Sequence, residues 1–115
     1  MRLSTTITAT SLLASGAFAL TLQPLVNATI GGIAEVHWTI GPNDPATWNL
    51  FLMDPNYIFG LKGILATNVD NSLGHITVSL AGANVQPGVP YNLQAANANE
   101  PDLRYAASPV FTLSK

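Results

Sequence analysis

The chain has 115 residues, of which 9% are charged, with four Lys and Arg against six Asp and Glu and no cysteine. Bases this sparse cannot form the positive stripe that neutralises phosphates, which argues against nucleic acid and anionic membranes as partners. Without cysteine there is no disulfide framework, so any fold must stand on its apolar core.

The first segment predicts export. Arg2 gives a positive start, Leu3 to Leu13 is apolar or small, and Ala17-Phe18-Ala19 places small residues where a signal peptidase cuts. The run is interrupted by serines and threonines and falls short of the ~20 strongly apolar residues a transmembrane helix needs. Residues 1–19 therefore read as a secretory signal and residues 20–115 as one domain, with no membrane span in the mature protein. Beyond the leader only three bases, Lys62, Arg104 and Lys115, face all six acids, amid abundant Asn, Ser, Thr and Gln. Such a surface suits a neutral polysaccharide or a glycoprotein neighbour.

After the leader, Asn27-Ala28-Thr29 forms an N-glycosylation acceptor in a turn-like segment, marking Asn27 as a candidate modification site. Then come short runs that alternate with period two, the mark of half-buried strands. Ala34, Val36, Trp38 and Ile40 are expected inside, with Glu35, His37 and Thr39 outside. Trp48, Leu50 and Leu52 repeat the pattern after the turn at Gly41–Pro45. Residues 54–63 read as an irregular loop that carries Tyr57, Ile58, Phe59 and Leu61. Ile76, Val78 and Leu80 alternate again, Tyr91, Leu93 and Ala95 follow the Pro-Gly corner at Gln86–Pro90, and Phe111 and Leu113 close the chain.

Strands of this length between Pro-, Gly- and Asn-rich turns predict an all-β fold: an immunoglobulin/fibronectin-III-like antiparallel β-sandwich of about seven strands, with a five-stranded barrel as the rival. Two details favour the sandwich. Tyr91 stands where a tyrosine-corner residue would open its strand, and Trp38 offers a large plug for a core without a disulfide.

Pro24, Ile30-Gly31-Gly32, Val36-His37-Trp38-Thr39, Asp44-Pro45, Leu50-Phe51-Leu52, Leu65 to Asp70, Gly74, Ile76-Thr77-Val78, Pro87-Gly88, Tyr91 and Tyr105 to Leu113 occur in this order. The series resembles the immunoglobulin-like N-terminal domain of the fungal yeast cell-wall synthesis family (Kre/Knh-like), also met in Ser/Thr-rich GPI-anchored surface proteins. The resemblance spans nearly all of residues 20–115, mostly at strand cores and turns. It implies a fungal secretory or cell-wall protein linked to β-glucan assembly or wall architecture, with no catalytic residue to carry over.

The residues themselves offer little chemistry. No Gly-x-Ser-x-Gly elbow or phosphate-binding loop occurs, and Asp44, Asp54, Asp70, Glu100 and Asp102 sit at turns, where capping explains them. Neither an enzyme nor a cofactor is expected. Glu35, His37 and His75 share an outward phase, but two strand positions do not secure the convergence a metal needs, so no metal site is assigned. Phe51, in the opposite phase to Leu50 and Leu52, and Tyr57 and Phe59 in the loop form either a stacking platform for sugar rings or a cover that tucks the loop against the sheet. Two functions follow from this: a structural or interaction domain that meets wall polysaccharide or a surface protein, and a carbohydrate-binding module.

Overall fold

The computed structural model describes residues 20–57, 60–100 and 103–115. The proposed leader, Phe59 and Asp102 lie outside the described residues. Seven strands appear among those described: β1 (Thr21–Leu22), β2 (Ile33–Thr39), β3 (Thr47–Met53), β4 (Leu61–Asp70), β5 (His75–Ser79), β6 (Asn92–Ala96) and β7 (Arg104–Ala107). They form two antiparallel sheets, one ordered β1-β2-β5 and the other β4-β3-β6-β7. This is the immunoglobulin/fibronectin-III-like sandwich, with the fourth strand joined to the four-stranded side.

Each sheet buries one face because its side chains alternate. In β2, Ala34, Val36 and Trp38 are buried while Ile33, Glu35, His37 and Thr39 face water. Opposite them, Trp48, Leu50, Leu52, Leu93 and Ala95 are sealed from solvent on the four-stranded sheet. Trp38 and Trp48 meet edge to face across the two layers, with ring centroids 4.9 Å apart and planes at 78°, a favoured arrangement for aromatic pairs.

The corner expected at Tyr91 is present. Its buried ring sends Oη back to accept a 2.9 Å hydrogen bond from the Gln86 amide, and its backbone pairs with Phe111. The terminal run then crosses to the other sheet, where Ile30 N donates to Ser114 O and Ser114 N donates to Ala28 O.

Two expectations need correction, and one strand goes unmarked in the sequence. Ile40 is not inward: β2 ends at Thr39, and the Ile40 side chain is exposed with its tip near Gly74. The loop read as 54–63 ends at Gly60, because Leu61 already pairs with Met53. β4 itself escapes a period-two reading because its pairing with β3 shifts register at three places, and each shift moves side chains to a different face. Within it Asn68 adopts φ +52 and its amide bonds to Asn49 Oδ1 at 2.9 Å; a positive φ is a conformation Asn tolerates better than most residues.

Candidate functional site

The surface that best fits a binding role is the outer face of the four-stranded sheet. Since Leu50 and Leu52 point into the core, Phe51 and Met53 point out, and antiparallel register places their neighbours beside them. One row across the face runs Ile64, Phe51, Gln94 and Ala107; the next runs Leu61, Met53 and Asn92. Leu61 and Ile64, on the outermost strand, are both at least half exposed. The rows combine apolar side chains with side-chain amides and contain no ionisable group, a composition suited to an uncharged partner.

Phe51 does not serve as an open stacking face. It has the outward phase the sequence assigns, yet is only 8% exposed. β3 lies between β4 and β6, so Ile64 and Gln94 flank the ring on both sides and leave no free aromatic plane. Tyr57, by contrast, is 67% exposed. The loop that carries it joins Met53 to Leu61 and so stands at the end of the Leu61–Met53–Asn92 row. Buried Asp54 shapes that loop: its backbone N donates to Gly60 O at 2.8 Å, its carbonyl accepts from Tyr57 N, and its Oδ1 accepts from Asn56 N. The Gly60 backbone lies too close to Asp54 for any Cβ, so the loop closes only on glycine.

Asn92 holds a further feature of this face. Its side chain is buried, with Nδ2 reaching Ser108 O at 3.5 Å and Oδ1 meeting no hydrogen-bond partner. Ile64 and Asn92 do not stand out in the sequence as site residues, and Leu61 reads there as part of the irregular loop. The alternation of β6 could have revealed Asn92, but the register shifts of β4 hide the other two.

On the opposite face of the sandwich, the three groups weighed as metal ligands do come together. Glu35 Oε1 lies 3.0 Å from His37 Nε2, His37 stacks on His75 with centroids 5.8 Å apart, and Thr77 donates to Glu35 at 3.2 Å. Among the described residues no group of three or more His, Asp and Glu is placed to hold a metal ion. The half-exposed cluster reads as a cross-strand polar ladder.

Asp44, Asp54 and Asp70 behave as turn caps. Asp44 accepts from the amides of Leu20 and Gly41. Asp70 caps the short 3-10 turn Asn71–Leu73, accepting from both the hydroxyl and the amide of Ser72, and these bonds, the hydroxyl first, hold its carboxyl below the usual aspartate range. Asn27 is exposed with φ +56. Among the described residues no helix is long and apolar enough to cross a membrane.

The fold and this face define a β-sandwich whose four-stranded sheet presents two uncharged, partly apolar rows, with Arg104 and Asp70 in the rows towards its other end. No protein-family model matches the chain, and no curated protein matches it.

Proposed function

We propose that the chain is a small secreted domain of the fungal cell surface or wall, with a structural or interaction role linked to β-glucan wall assembly, and that it meets its partner through the outer face of the four-stranded sheet. The observation that carries this reading is the exposure of Leu61 and Ile64 in two rows that hold no ionisable group, at the end of the sheet where the loop of exposed Tyr57 stands. Apolar groups gathered on one face of a small domain mark a surface kept for contact. The catalytic inventory of the sequence supports a binding role over an enzymatic one.

A second reading, a carbohydrate-binding module for a neutral wall polysaccharide, is favoured by Tyr57 alone, whose exposed ring can stack on a sugar. Isolated fungal walls separate the two. In the interaction reading, the protein sediments with intact walls, loses retention after the walls are treated with protease, and is no longer retained when Leu61→Ser and Ile64→Ser are combined, at unchanged melting temperature. Retention that survives protease, is released by soluble β-glucan oligosaccharide and fails in Tyr57→Ala establishes the module instead. No retention on either preparation overturns both.

A further inference from the structure

A groove of about 470 Å3 runs between residues 24–28 and residues 110–114. Buried Leu25, Phe111 and Leu113 line it, and so do two exposed apolar side chains, Val26 at 76% and Val110 at 57%. No ionisable side chain lines it. The groove is anchored where the two segments bond to each other through Ala28, Ile30 and Ser114.

Asn27 is itself part of the wall. It is exposed, and its left-handed backbone turns the chain at this point. Together with Ala28 and Thr29 it forms the acceptor triplet read by N-glycosylation. We infer that Asn27 carries an N-linked glycan whose first N-acetylglucosamine residues lie along this groove and cover Val26 and Val110. This inference rests on the export reading, since the modification occurs in the secretory lumen.

The donor is a lipid-linked oligosaccharide diphosphate. The Asn27 side-chain nitrogen attacks C1 of the first sugar, a nitrogen–carbon bond forms, and the bond from C1 to the diphosphate oxygen breaks. The lipid diphosphate leaves with the electron pair and the amide nitrogen gives up one proton, with no change of oxidation state. Folding then leaves room for the product, because the side chain that bears it stays outside. The sugar fits the groove in chemistry as well as in position. Its C–H faces and N-acetyl methyl are apolar and match the valines, its hydroxyls match Thr112 and Ser114, and it has no charge to be desolvated. A tethered ligand also needs no high intrinsic affinity, because attachment holds it at a large effective concentration.

The test uses the complete chain secreted from a eukaryotic host behind a supplementary cleavable leader, so that delivery to the lumen does not depend on residues 1–19. The expected result is one endoglycosidase-sensitive mass shift in the wild type, retained in Thr29→Ser and lost in Thr29→Val, which keeps the side-chain shape and removes the hydroxyl. Nuclear Overhauser contacts between the first N-acetyl group and the methyls of Val26 and Val110 are expected in the glycosylated form. Lumenal protein without the shift, or a shift that survives Thr29→Val, overturns the modification at Asn27. A shifted protein without those contacts overturns the groove as its resting place. The same chain without the added leader reports on export alone: cytosolic retention there would overturn the export reading, while the acceptor assignment stands on the first arm.

Discussion

Trp48 Nε1 donates to Asn71 Oδ1 at 3.0 Å, Trp38 Nε1 donates to the Asn71 backbone oxygen at 2.9 Å, and the Asn71 amide donates to Ala46 O at 3.0 Å. One buried asparagine thus satisfies the only polar group of each indole. Removing its side chain leaves the Trp48 N–H buried without an acceptor, a loss on the order of 1–3 kcal/mol. Asn71→Ala is expected to lower stability by that amount in urea titration, and Asn71→Asp, which keeps an acceptor oxygen, by less. An equal loss in both variants would show that the bond to Trp48 is not what matters. In the sequence, Asn71 sits between Asp70 and Ser72 and reads as one more turn residue, because its acceptors' partners lie more than twenty positions away.

The strands legible in the sequence are those whose inward residues recur at every second position, even where, as for β3 and β6, one partner strand slips in register. β2, β5 and β6 alternate without interruption against the core, and so do the inward residues of β3. β4 is ten residues long but slips against β3, and β7 is short with half-buried Tyr105 and Ala106 at its centre, so neither offers period two. The binding face stayed hidden for the same reason, since its exposed apolar residues, Leu61 and Ile64, lie on β4. The β3–β4 connection also separates two roles that the sequence left joined. Phe51→Ala is expected to cost about 3–5 kcal/mol as a buried aromatic, whereas Tyr57→Ala should stay within about 0.5 kcal/mol. Equal effects on the melting curve would contradict the burial described for the pair. At the β4 terminus, the Ser72 bonds favour the Asp70 carboxylate in the folded protein. Their stabilisation is therefore present above the unfolded aspartate pKa and is lost as pH falls through the lower folded value. A carboxyl NMR titration should find Asp70 below the usual range in the wild type and raised towards it in Ser72→Ala.

At the scale of the whole molecule, the two sheets are joined by packing, with no covalent bridge, and the Trp38–Trp48 contact is where the largest side chains of each layer meet. Trp38 belongs to the three-stranded sheet and Trp48 to the four-stranded one, so the pair reports directly on whether the layers are closed. Trp38→Ala opens a cavity between the sheets and removes the edge contact to Trp48, at a cost of about 3–5 kcal/mol. A domain of this size holds about 5–15 kcal/mol in total, so the loss takes most of the margin. The variant should unfold at much lower urea, with Trp48 fluorescence and far-ultraviolet circular dichroism changing together if the sandwich opens as one cooperative unit. Trp38→Phe keeps an aromatic plug while giving up the indole bond to Asn71, so it should fall between the wild type and Trp38→Ala. A Trp38→Ala protein that melts like the wild type would mean that the two layers are held together elsewhere.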